Sequence, residues 1–232
     1  MPHRTRYGLV SFDLDGTLVD TAGEIAEAAN RALEAHGLPR QPVPELTLLI
    51  GHGAHALMRK LLQRVGPLRA TQLPPLDIDA VLASFDRHYT DTTGTLGAPY
   101  PGAATTLRRL RQAGVLVACV TNKEARHTHT LLQCHGMAQA FDIVVGGDTL
   151  AQKKPHPSVL QHVAAACGVA VDAVAHVGDS ATDVQAARNA GVAAWAVPWG
   201  YNAGEPITTA APDRIFLSLP EVADHVLGVS TR

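Results

Sequence analysis

Residues 11–21 read Ser11-Phe12-Asp13-Leu14-Asp15-Gly16-Thr17-Leu18-Val19-Asp20-Thr21 (SFDLDGTLVDT) and follow the apolar run Tyr7-Gly8-Leu9-Val10. An apolar strand over Tyr7–Phe12 therefore delivers two carboxylates, Asp13 and Asp15, at its carboxyl end. In extended backbone a spacing of two puts both side chains on one face. An Asx turn closing the strand is the simplest alternative. A calcium loop fits worse: Asp13, Asp15, Thr17 and Glu24 take its ligand positions, but Leu18 stands where the sharp turn demands glycine.

From Pro101 onward the chain alternates short apolar runs with helical spacing. Val115–Val120, Ile143–Val145, Val174–Val177 and Ala193–Val197 read as strands buried on both faces. Helices are predicted over Ala103–Gln112, Ala125–Cys134, Val159–Cys167 and Ala181–Asn189, followed by Gly114, Gly136, Gly168 and Gly191 as left-handed caps. Strand–helix alternation implies right-handed crossovers and a parallel sheet. The expected fold is α/β: a Rossmann-like parallel sheet with helices on both faces. Between the first strand and the rest lies a stretch that reads as helices only: Glu24–His36, Ala54–Arg64 and Ile78–Thr90, joined by the Pro-rich connections LPRQPVPEL and GPLRATQLPPLD. This stretch is expected to form a small all-helical cap domain over 22–97, with 1–21 and 98–232 as the Rossmann-like core.

A chain of 232 residues, 46% of them hydrophobic, suffices for a sizeable core. A net charge of −2 without a basic run argues against nucleic acid or an anionic membrane as partner. Three widely spaced cysteines, Cys119, Cys134 and Cys167, suit reduced thiols rather than a disulfide framework. With no signal-length apolar segment, the expected location is cytoplasmic. Twelve histidines include no HExxH, and none is assigned to a metal. The run Gly51–Ala56 (GHGAHA) fits G-x-G-x-x-A, but it lies in the helical stretch and lacks the strand and acid that a dinucleotide site requires.

In an open parallel sheet, ligands bind at the carboxyl ends of strands beside a topological switch point. Four stretches converge there: Asp13 and Asp15; Thr121-Asn122 after VLVACV; Lys154 in KKPHP; and Gly178-Asp179-Ser180 with Asp183 after VAHV. Paired carboxylates, a hydroxyl, an amide and an ammonium group are what phosphoryl transfer uses: an attacking carboxylate, oxygen ligands for a hard cation, and positive groups around the phosphate.

These four motifs, in this order, resemble those of the haloacid dehalogenase superfamily of aspartate-nucleophile phosphatases, over essentially the whole chain. Within it, LIGHGAHAL, YPGAATTLRRL, VVGGDTLAQKKPHP and PWGYNAGEPI are similar to the phosphoglycolate phosphatase family. The resemblance implies Asp13 as nucleophile, becoming an aspartyl-phosphate, and Asp15 as acid and then base. It implies Thr121, Asn122, Lys154 and the amides following Asp13, with Gly16 and Thr17, as phosphate-binding groups. It also implies Mg²⁺ held by Asp13, the Asp15 carbonyl and Asp179. Asp183 is either a supporting carboxylate for a metal water or Lys154, or a helix N-terminal charge, and Ser180 a helix cap. Among His52, His55, Arg59 and Lys60, Arg59 is the expected partner for a substrate carboxylate, a solvated helix face being the alternative for each. The implied activity is Mg²⁺-dependent hydrolysis of 2-phosphoglycolate to glycolate and phosphate by a monomer or homodimer. Another small phosphomonoester such as a sugar phosphate, or phosphomutase chemistry, remains the alternative.

Overall fold

The structure is a computed structural model that describes residues 5–68 and 75–229. The first four residues of the basic N-terminus, and 69–74 of the second Pro-rich connection, lie outside these.

Six strands form one parallel sheet: β1 (Leu9–Phe12), β4 (Leu116–Val120), β5 (Ile143–Val145), β6 (Val174–Gly178), β7 (Ala193–Ala196) and β8 (Arg214–Ile215). Their order is β5-β4-β1-β6-β7-β8, every neighbouring pair parallel. The chain builds outward from β1 on one side, then crosses to the other, so the switch point falls at the carboxyl end of β1.

Alternation along each strand feeds two cores. Val10 and Phe12 of β1, Val117 and Cys119 of β4, and Ala175 and Val177 of β6 pack against α5 (Ala103–Gln112), α6 (Ala125–Cys134) and α9 (Leu219–Leu227). Leu9, Ala118, Val120 and Val174 face α7 (Ser158–Ala166) and α8 (Ala181–Ala190) on the opposite side. Helices thus cover both faces, as the unbroken apolar runs require. The edge strand β5 departs from expectation: Ile143 and Val144 are only half-buried, because one flank of that strand has no neighbour. The caps Gly114, Gly136, Gly168 and Gly191 all take positive φ, between 64° and 78°.

Residues 22–97 hold α1 (Ala22–Ala35), α2 (Val43–Thr47), α3 (Ala54–Val65) and α4 (Ile78–Thr92) around an apolar core of their own, with Leu33, Leu57, Met58 and Phe85 at its centre. The Pro-rich LPRQPVPEL is not wholly loop: Pro44 sits in the first turn of α2, where its missing N–H leaves no gap. Where the chain leaves and re-enters the sheet, β2 (Val19–Asp20) and β3 (Ala98–Pro99) pair antiparallel, a ribbon too short to show as alternation. Among the described residues no helix is long and apolar enough to cross a membrane.

Candidate active site

Asp13, Asp15, Thr121, Asn122, Asp179 and Ser180 line one cavity of about 40 Å³, roofed from the helical insert by Ile25, Ile50, Leu57 and Tyr89. The two carboxylates of the opening motif are held by different lysines. Lys154 Nζ lies 2.9 Å from Asp13 Oδ1 and 2.6 Å from Asp183 Oδ1. Lys123 Nζ lies 3.2 Å from Asp15 Oδ1.

Asp183 is the most heavily bonded of the carboxylates. Its Oδ1 accepts from Lys154 and, at 3.2 Å, from His176 Nε2; its Oδ2 accepts from the Ser180 N–H (3.1 Å) and hydroxyl (2.6 Å). It therefore does both things open to it, starting α8 and fixing Lys154. Beneath it, His176 Nδ1 stands 2.8 Å from the Ser11 hydroxyl on the neighbouring strand, so with Nε2–H donating to Asp183, Nδ1 accepts. Burial holds His176 below its ordinary pKa and hence neutral.

Charge in this corner does not balance. Oxygens of Asp13, Asp179 and Asp183 lie within 4.8 Å of one another, against the single ammonium of Lys154. Burial, opposed by Lys154 and reinforced by Asp183, pushes Asp13 up to about 6. Burial and the adjacent Asp183 and Asp13 push Asp179 well above the usual carboxylate range. Asp183 goes the other way: burial opposes its charge, but Lys154 and His176 hold it well below that range. Lys154 is kept charged against burial by Asp13 and Asp183. An excess of two negative charges among oxygen donors suits a divalent hard cation, so these residues fit Mg²⁺.

The phosphate-binding set is smaller than expected. The Gly16 N–H donates to Val19 O (2.8 Å) and the Thr17 N–H to Leu14 O (3.3 Å), both closing the turn after β1. The Thr17 hydroxyl donates to Asp179 Oδ1 at 2.8 Å. Gly16, at φ 83°, lets the turn pass so close to Asp179 that a Cβ would collide with its carboxylate. Gly16 and Thr17 thus buttress Asp179, whereas the N–H groups of Leu14 and Asp15 have no backbone acceptor among the described residues. Asn122 Nδ2 bonds to Gly51 O (3.2 Å) and Lys154 O (3.0 Å), tying the insert to the Lys154 loop. The Thr121 hydroxyl accepts from Lys123 N–H (3.3 Å) and keeps its own proton for a ligand.

Arg59 is not brought to the site. Leu57, Met58, Leu61, Leu62 and Val65 take the buried face of α3, so helical spacing turns Arg59 outward, 3.7 Å from Asp79. His55 likewise pairs with Asp86 at 2.8 Å on the surface. Lys153 is exposed and donates to His52 O at 2.9 Å. Cys119 is a core residue whose thiol burial pushes up.

Three contributors escaped the sequence reading. Tyr201 donates its N–H to Asp179, while its hydroxyl accepts from the Thr21 and Ala22 N–H groups at 2.8 and 3.0 Å. His176 was legible in retrospect as the lone polar residue within Val174–Gly178. Lys123 follows Thr121-Asn122 directly, but nothing in the local sequence marks it as buried.

A rim that joins a carboxylate paired with a buried lysine, a second carboxylate two residues on and a cluster fit for a divalent cation is suited to the hydrolysis of phosphate esters. The chain belongs to the haloacid dehalogenase-like hydrolase family, whose sequence profile matches residues 7–191. It is 38% identical over 210 residues to the phosphoglycolate phosphatase of Aliivibrio fischeri, covering 88% of this chain and 90% of the relative. It is 42% identical to the plasmid-encoded phosphoglycolate phosphatase of Cupriavidus necator over 192 residues, 83% of this chain and 81% of the other. Among solved structures, a predicted phosphoglycolate phosphatase from Haemophilus somnus superimposes with a TM-score of 0.90 at 30% identity, covering 94% of this chain and 97% of that one.

Proposed function

We propose that this chain hydrolyses 2-phosphoglycolate to glycolate and phosphate in an Mg²⁺-dependent reaction through an aspartyl-phosphate on Asp13. The observation that carries this reading is the division of labour between two carboxylates in one cavity, Asp13 against Lys154 and Asp15 against Lys123. A carboxylate bonded to phosphorus cannot also move protons, so a second is needed.

Asp13, backed by Lys154, attacks phosphorus while the ester oxygen leaves with a proton from Asp15. Asp15, now ionised, takes a proton from the water that attacks the aspartyl-phosphate, releasing phosphate and restoring both side chains. Thr121 and Lys154, with the Leu14 and Asp15 N–H groups, hold phosphoryl oxygens. Asp13, the Asp15 carbonyl and Asp179 are the residues that would hold Mg²⁺, with Asp183 adjoining. The cation, when bound, supplies charge neutralisation of the phosphoryl group. The insert 22–97 acts as a cap, hinged near 21–23 and 97–102, that excludes water during the first step.

The substrate assignment draws on the relatives named above. A panel of phosphomonoesters assayed with Mg²⁺ and with chelator tests the reading. The highest kcat/KM should belong to 2-phosphoglycolate, with chelator abolishing turnover. Covalent phosphate trapped on any residue other than Asp13, or activity surviving in Asp13→Asn, would overturn it.

A further inference from the structure

The side chain of Lys123 is 1% exposed, yet it extends from the carboxyl end of β4 into a cage of polar atoms drawn from both parts of the molecule. Its ammonium meets Asp15 Oδ1 at 3.2 Å, Glu24 Oε1 of α1 at 3.8 Å, and donates to the Tyr89 hydroxyl of α4. It also stands 4.6 Å from the centre of the Tyr89 ring. Asp15 and the Tyr89 hydroxyl accept from the ammonium and Glu24 adds a longer ion pair, so one partner comes from the turn after β1 and two from the insert. The ring of Tyr89 is in turn fixed between Phe85, at 5.2 Å, and His127, at 4.3 Å between centroids. Among the described residues the Asp15 side chain has no other hydrogen-bond or ion-pair partner, so one contact sets its orientation and leaves Oδ2 to the cavity.

We propose that Lys123 is the positioning residue for Asp15, and that Glu24 and Tyr89 make its grip depend on docking of the insert. The inference rests on Asp15 being the proton-transfer group of the reaction above. With α1 and α4 in place, Lys123 is clamped from the insert side and the carboxyl of Asp15 faces the leaving oxygen. With the insert displaced, the ammonium loses two of its three partners and Asp15 is no longer held. Proton transfer is thereby confined to the closed enzyme.

The test compares two small substrates. Glycolate leaves 2-phosphoglycolate as an alkoxide that needs a proton as the P–O bond breaks; acetate leaves acetyl phosphate without one. Since kcat/KM covers steps up to that cleavage, loss of acid positioning falls on the first substrate. Lys123→Met should lower kcat/KM for 2-phosphoglycolate by roughly 10²-fold or more, the scale of general acid catalysis, and for acetyl phosphate by a factor at least about tenfold smaller. Tyr89→Phe and Glu24→Gln should show the same selective loss at about 3–30-fold, and adding Tyr89→Phe to Lys123→Met should cost little more. Equal losses on both substrates, or none, would overturn the proposal. Should Lys123→Met not fold, Tyr89→Phe, which removes one oxygen, decides alone. A wild-type enzyme inactive on both substrates would instead strike the phosphatase reading.

Discussion

Replacing Asp13, the proposed nucleophile, should make the metal-free protein more stable while it destroys activity. Asp13 is pushed from 3.8 to about 6, chiefly by burial and despite Lys154, which works out at about 3 kcal/mol at ~1.4 kcal/mol per factor of ten. The sign follows from proton binding. A folded pKa above the unfolded one means the folded state binds the proton more tightly, so this group's stabilisation is present below pH 3.8 and is lost as pH rises through about 6. At pH 7 the metal-free protein carries that penalty in full. Asp13→Asn keeps the shape, removes the charge, and gives up the ion pair at 2.9 Å with Lys154. A net gain of roughly 1–3 kcal/mol remains, or about 2–12 °C in Tm for a chain of this length. The assay is thermal unfolding of wild type and variant in chelator from pH 4 to 8. Taking the difference between the curves cancels other titrating groups, notably His127, held down to about 4 by burial, whose contribution runs in the opposite direction. The gap should open between pH 4 and 6.5 and stay level above. Added Mg²⁺ should then raise the wild-type Tm more than the variant's. A variant no more stable than wild type at pH 7 in chelator would show that Lys154 already neutralises the corner, and the case for a divalent ion would fall with it.

Three further outcomes follow from the geometry. Asp183→Asn puts an NH₂ in place of one of two oxygens that both face donors, setting donor against donor and weakening the hold on Lys154; urea unfolding should show a loss of about 3–5 kcal/mol, and a loss under about 1 kcal/mol would be inconsistent with the four bonds described. Gly16→Ala meets the Asp179 carboxylate and the Tyr201 ring at a left-handed φ, so half-maximal activation should need roughly 10–100-fold more Mg²⁺ in an activity titration. Arg59→Ala removes only an exposed pair at 3.7 Å and should leave kcat/KM within about twofold; a tenfold drop would return Arg59 to the substrate.

The helices Ala103–Gln112 and Ala125–Cys134 and the strand Ile143–Val145 were predicted to the residue, because each is bounded by local signals: an apolar period, a capping glycine, a run of β-branched side chains. The ribbon joining Val19–Asp20 to Ala98–Pro99 was not, since two-residue strands lack a period to detect. Arg59 was misplaced for a different reason. Its nearness in sequence to the Gly51–Gly53 turn outweighed the spacing of Leu57, Met58, Leu61 and Leu62, which already turned it outward.

What could be read along the chain was the chemistry of the rim: Asp13, Asp15, Thr121, Asp179 and Asp183 each stand at or just past the end of an apolar strand or in the first turn of a helix, with Lys154 in the turn four residues before α7, and backbone geometry carries such ends to one edge of a parallel sheet. What could not be read was which polar groups hold them. Lys123 reaches Glu24 and Tyr89, His176 finds Ser11, and Tyr201 meets Asp179, through strand order and docking of the insert. Local rules act over a few residues, whereas these partners lie tens of residues or more apart. Burial then makes each pairing obligatory, because a polar group taken from water without a partner costs about as much as a sizeable share of the protein's whole stability.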